Sequence, residues 1–241
     1  MYTDSINQFN GMSVVSGLSN VCICGDAIGD PKEIIIPNGF NPLTDNYIAI
    51  KAVFLNGHNA VNDSTYLTVK CKYANGDYVQ DGADVVQIPI MANKDGSLIN
   101  IPIHTMDVSG TTTYKVLQAN TVLEMYYDPN ANGGNGAFVV IGNPIVLSAN
   151  DSNSSYTVYA NGLIKQSGIF TGDNWQVIPL LIPYSNKNYV VLGTVDTSVR
   201  TGDAVFQICR SSSNFTNSQI YISTFRGGDS GALHNWVTIG Y

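Results

Sequence analysis

The chain has 241 residues, 44% of them hydrophobic and only 12% charged, with a formal net charge of −7. That length accommodates one large β domain or two small ones, each with its own core. The eleven Lys and Arg residues are scattered, so no cluster exists to neutralise phosphates, and nucleic acid is excluded as a partner.

Taken in chain order, residues 1–10 are polar and carry Asp4, which does not fit a secretory signal. As a native start they imply synthesis in a cytoplasm without export by that route. Residues 1–44 lack a clear rhythm: prolines and glycines surround one apolar run, Ile34-Ile35-Ile36. They are predicted to form an extended arm. Such an arm would dock on a neighbouring subunit or a larger particle, or else complete the sheet of the first domain.

From residue 47 the strand pattern is clear. Residues 47–55 form an apolar strand that ends at Asn56-Gly57, a hairpin-type turn signal. Residues 65–73 alternate, with Leu67, Val69, Cys71 and Tyr73 on one face. Asn75-Gly76 then turns the chain. Residues 85–90, 98–103, 113–117, 121–127, 137–141 and 144–147 continue as strands. Pro89 and Pro102 fall inside two of them and favour edges or bulges. Residues 148–155 (Ser-Ala-Asn-Asp-Ser-Asn-Ser-Ser) are the most polar stretch and mark a domain boundary. Beyond them, strands are predicted at 156–159, 163–170, 175–182, 189–195, 204–209, 219–224 and 235–239. No helical pattern and no clean repeat intervene. No apolar run is long enough to span a bilayer. The expectation is an all-β chain of two antiparallel β-sandwich or barrel-like domains, 45–148 and 149–241, preceded by the arm 1–44.

Motifs that suggest chemistry do not complete a site. Gly228-Asp229-Ser230-Gly231 matches the nucleophile segment of chymotrypsin-like proteases, but His58 is the only base in suitable chain order and sits in a turn signal. Residues 128–133 (Asp-Pro-Asn-Ala-Asn-Gly) fit the start of a calcium loop, yet its twelfth position is Val139 rather than Glu. Glu124, one of two glutamates with Glu33, lies in an apolar strand; Asp84, Asp107 and Asp128, weighed as its partners, sit in turn-like contexts. Cys22, Cys24, Cys71 and Cys209 lack zinc spacing and read as small strand residues. His58, His104 and His234 read as polar surface or strand residues. The reading is therefore a protein that is not an enzyme, with no catalytic residue, no metal and no cofactor. Fourteen tyrosines against two tryptophans suit a recognition surface instead.

Two stretches carry a resemblance. Ala52-Val53-Phe54-Leu55-Asn56-Gly57 leads into Thr65-Tyr66-Leu67-Thr68-Val69, followed by Leu123-Glu124-Met125-Tyr126-Tyr127-Asp128 and Ala137-Phe138-Val139-Val140. This order is similar to a β module of phage fibre and tail proteins, here with a lengthened loop at 129–136. Asn161-Gly162-Leu163-Ile164-Lys165-Gln166-Ser167-Gly168 and the ending Trp236-Val237-Thr238-Ile239-Gly240-Tyr241 resemble the opening and closing strands of a tail-fibre terminal domain. The long adaptor and shaft of a long fibre are missing, which suits a short tail fibre, head fibre or hub appendage; crAss-like gut phages are one source. The resemblance implies a virion protein, homotrimeric, bound to other virion proteins through its N-terminal region and to a bacterial surface glycan or protein through C-terminal loops, without membrane insertion. The binding residues it implies are Tyr184, Asn214, Phe215, Arg226, Asp229, His234 and Trp236. A lectin-like carbohydrate-binding module and a glycan depolymerase are the alternatives.

Overall fold

A computed structural model describes residues 19–24, 32–36, 41–44, 49–73, 75–79, 87–108, 111–171, 175–196, 205–225 and 233–241. It is all-β: the described residues form strands in several sheets, with one short helical turn at Ala131–Gly134. The chain separates into two compact units. One comprises residues 1–104 and 113–146, the other residues 105–112 and 147–241.

The first unit is built on β1 (Ser19–Cys24), β2 (Lys32–Ile36), β3 (Ala49–Phe54), β5 (Thr68–Tyr73), β6 (Ile88–Lys94), β7 (Ser97–Asn100), β10 (Thr121–Asp128) and β11 (Ala137–Val140), with β4 (His58–Ala60) and β9 (Thr111–Leu117) pairing beside them. The order is β11-β10-β3-β1-β2-β5-β6-β7, and β11 also pairs with β6, so the sheet closes into a barrel-like form. The period-2 alternation places one row of each strand inside. Ile50, Ala52 and Phe54 of β3 lie opposite Met125, Leu123 and Thr121 of β10, and all six are buried. Ile34 pairs with Cys71 across β2 and β5 on the same interior.

The pairing is mixed rather than antiparallel throughout. β1–β3, β2–β5 and β6–β11 are parallel. Strands β1 and β2 complete this sheet; residues 1–18 of the expected arm lie outside the described residues. Pro89 lies in β6, at a register position opposite Thr68 of β5, whereas Pro102 follows the end of β7 and lies in no strand. His58, expected in a turn, begins β4 and is buried.

The second unit is antiparallel. One sheet has the order β12-β13-β14-β19-β16, from β12 (Ile145–Asn150), β13 (Ser154–Tyr159), β14 (Ile164–Thr171), β19 (Leu233–Gly240) and β16 (Val190–Asp196). The other is β15-β18-β17, from β15 (Gln176–Pro179), β18 (Gln219–Phe225) and β17 (Val205–Ile208). Phe206 of β17 packs over Gly193 of β16, where a β-carbon would collide with its ring. β8 (His104–Val108) contributes Met106, whose sulfur accepts the Tyr156 hydroxyl at 3.8 Å. The polar stretch 148–155 spans the end of β12, a tight turn at 151–153 and the start of β13: Asp151 Oδ1 accepts from the backbone of Asn153 at 2.7 Å and of Ser154 at 2.6 Å. Its polarity reflects exposure at a hairpin tip.

Candidate functional site

Of the seven binding residues expected, Arg226 and Asp229 lie outside the described residues. Asn214 is exposed. Tyr184, Phe215, His234 and Trp236 are interior, each no more than 2% exposed. Alternation explains two of them: β19 turns His234, Trp236 and Thr238 inward together, with Trp236 packed against Gly168 and His234 beside Phe170 at 4.7 Å. His234 and Trp236 are both part of the interior of this unit.

Tyr184 and Phe215 do belong to one construction. Tyr184 stacks on Tyr189 at 4.3 Å, and Tyr189 stacks on Phe215 at 5.2 Å. Arg210 lies over the outer side of Phe215, 5.1 Å from the ring centre. The Tyr184 hydroxyl donates to Thr238 at 2.8 Å, and the Tyr189 hydroxyl donates to the carbonyls of Thr216 and Gln219 at 2.8 and 3.1 Å. Burial pushes both phenols above their ordinary range. Both stay neutral donors at physiological pH.

The stack fastens two loops. Arg210 donates to the carbonyl of Tyr189 at 2.8 Å and that of Lys187 at 3.4 Å. Asn217 donates its amide to the carbonyl of Tyr184 at 2.9 Å, and Tyr184 N–H donates to the carbonyl of Asn217 at 2.8 Å. Within 211–218, Phe215 N–H reaches Ser212, and the Gln219 amide holds the carbonyl of Asn214 at 2.9 Å. Above this base lies a polar ledge: Ser185, Asn186, Lys187, Asn188, Asn214 and Asn217 are exposed. Its donors and acceptors are held by a rigid aromatic floor, an arrangement suited to recognising a polar surface with little ordering cost. Sequence reasoning missed Tyr189, Arg210 and the 185–188 loop. The polar run Ser-Asn-Lys-Asn between apolar stretches was the available signal.

The other candidates do not gather. Glu124 pairs with Lys51 across β10 and β3 at 3.8 Å, on the exposed outside. Glu33 accepts from Tyr78 at 2.8 Å and Lys72 at 3.4 Å. Asp128 accepts from the backbone of Asn130 at 2.9 Å, closing a local turn. Among the described residues no three His, Cys, Asp or Glu side chains come together as a metal set. No helix among them is long and apolar enough to cross a membrane. Ser230 lies outside the described residues.

No protein-family model matches the chain, and no curated protein sequence matches it. Among solved structures, an N-truncated R1-type pyocin tail fibre aligns over 41% of this chain and 86% of its own, at 18% identity and a TM-score of 0.32.

Proposed function

We propose that the protein is a fibre-type structural component of a bacteriophage virion, assembled as a homotrimer, which attaches to the host envelope through the polar ledge of its second unit. The phage assignment takes its support from the fibre-like strand order quoted above. The assembly is supported by one observation about β19 and its neighbours. The inward row of β19 is His234, Trp236 and Thr238, while Val237 and Ile239 point outward, half-buried. Val237 lies opposite Leu192 and Ile239 opposite Val190 on β16, an edge strand, and these are 57% and 50% exposed. Ile169 of β14 shares this face.

An apolar row on the outside of a sheet, running to an unpaired edge, is a liability unless something covers it. A second copy of the same chain supplies a matching row, and cyclic symmetry closes the contact without leaving a free edge. The role is adhesion rather than catalysis, and the N-terminal region joins other virion proteins. Light scattering on purified protein at micromolar concentration tests the assembly: three chain masses are expected, and a clean monomer refutes it. Binding of labelled protein to host cells, lost when Asn186, Asn188 and Asn214 are together replaced by Ala, tests the ledge. Electron microscopy of particles labelled on this chain tests the virion role.

A further inference from the structure

The first unit carries an open groove of about 500 Å³ lined by Asp63, Tyr66, Met91, Pro102, Ile103 and the strand residues 98–100. It forms where two partners of β6 change over. Leu67, at the start of the β5 ladder, accepts from Ile90, and one residue further along β6, Met91 pairs with Asn100 of β7. The chain before Leu67 diverges into the turn 61–66, which Asn62 fixes by accepting from the backbone and hydroxyl of Ser64 and from Thr65. The groove is the space left between that turn and β7.

Three polar side chains border it. Tyr66 is 46% exposed, Asp63 is exposed and Asn100 is half-buried. None of the three is spent on a side-chain partner among the described residues. Leu98, Ile99, Pro102, Ile103 and Met91 supply an apolar floor. The volume lies in the range of small-ligand sites, and the composition, an apolar bed with a few convergent polar groups and one free aromatic ring, is that of a ligand site.

From this geometry we infer that the groove is a saccharide subsite for a neutral pyranose, distinct from the ledge on the second unit and independent of it. The apolar floor and the Tyr66 ring accept the C–H face of a sugar, a contact that costs little entropy because tyrosine has few rotors. The Asp63 carboxylate accepts from vicinal hydroxyls, and the Asn100 amide both donates and accepts. A free carboxylate in a chain of net charge −7 disfavours an acidic sugar. Being open, the groove buries only part of a ring, so single-sugar affinity falls in the millimolar range, roughly 1 mM, and several copies on one particle raise it by avidity.

Saturation-transfer NMR on the full chain with the methyl glycosides of glucose, galactose and mannose, and with methyl sialoside, tests this. Transfer to at least one neutral glycoside is expected and none to the sialoside. Tyr66→Ala is expected to weaken binding by about tenfold, the size of one aromatic contact. Asp63→Asn and Asn100→Ala weaken it too, and all three variants keep the parent melting temperature because the residues are at the surface. Absence of transfer to every neutral glycoside overturns the inference. So does preference for the sialoside, or neutral-sugar binding that survives Tyr66→Ala and Asp63→Asn. Loss of cell attachment on mutating the 185–188 and 211–218 loops leaves these outcomes unchanged.

Discussion

Gln166 grips the backbone of Ile182 with both ends of its amide: Nε2 donates to the Ile182 carbonyl at 2.7 Å, and Oε1 accepts from the Ile182 N–H at 2.9 Å. Both residues are fully buried. The side chain thus substitutes for a neighbouring strand at a place where the chain leaves β15 and has no ladder of its own. Replacing Gln166 by Leu strands the N–H and the C=O of Ile182 away from water. A loss of about 2–5 kcal/mol is expected, visible as a lower denaturant midpoint with unchanged slope.

The aromatic stack predicts that residues without ligand contact control attachment. Phe215→Ala removes the outer ring of the stack and the surface under Arg210, at a cost of about 3–5 kcal/mol. Tyr189→Phe is gentler: it keeps the rings and deletes only the hydroxyl bonds to Thr216 and Gln219, with a cost of about 1–2 kcal/mol expected. Hydrogen exchange is expected to rise in residues 211–218 for both variants, and cell binding to fall while Asn214 remains in place.

Strand 68–73 was legible because apolar and polar residues alternate along it and the structure buries Val69 and Cys71, and strand 49–54 because it is a nearly continuous apolar run that stops at a turn signal. β19 was not. Hydrophobicity alone turns Leu233, Val237 and Ile239 inward, yet the structure buries His234, Trp236 and Thr238. The volume of Trp236, which fills the space over Gly168, outweighs the smaller residues on the other face. Alternation also says which face is covered and not which strand lies alongside. That is why the parallel pairs β1–β3 and β2–β5 had no sequence signature. The expected binding residues were chosen as aromatic and polar groups near predicted loops. Tyr184 and Phe215 lie in the stack beneath those loops, and His234 and Trp236 lie in the interior row of β19; aromatic side chains serve support and contact equally well.

Assembly is tested at Leu192. Leu192→Asp places a charge on the outward row beside Val237, where the isolated chain has room for it. Light scattering is expected to shift toward monomer, while circular dichroism keeps its β signature.

Acid sensitivity is expected from His104. Burial holds its pKa down at about 4, against 6.5 for the free side chain, and Nε2 has no hydrogen-bond partner among the described residues. Below pH 6.5 the unfolded chain takes up a proton that the folded one refuses. Stability is therefore full above about pH 6.5 and falls toward pH 4, by up to about 3 kcal/mol. His104→Gln is expected to flatten that part of the curve, measured as melting temperature against pH.

Gly168→Ala probes the floor beneath Trp236. The added carbon would lie 2.6 Å from the indole and 2.7 Å from the Asn153 carbonyl. The backbone oxygen cannot swing aside, so destabilisation of about 1–3 kcal/mol is expected, with a change in tryptophan fluorescence.

Closure of the first sheet by β6 and β11, through Ile90–Phe138 and Met91–Val139, has a temporal consequence. These partners are far apart in sequence, and two further parallel pairings also link non-adjacent strands. Non-local ladders form late, because the loop must close before any contact repays it. During synthesis the first unit cannot finish until Val140 has left the ribosome, and a nascent chain halted before β11 carries the edge of β6 open to neighbours.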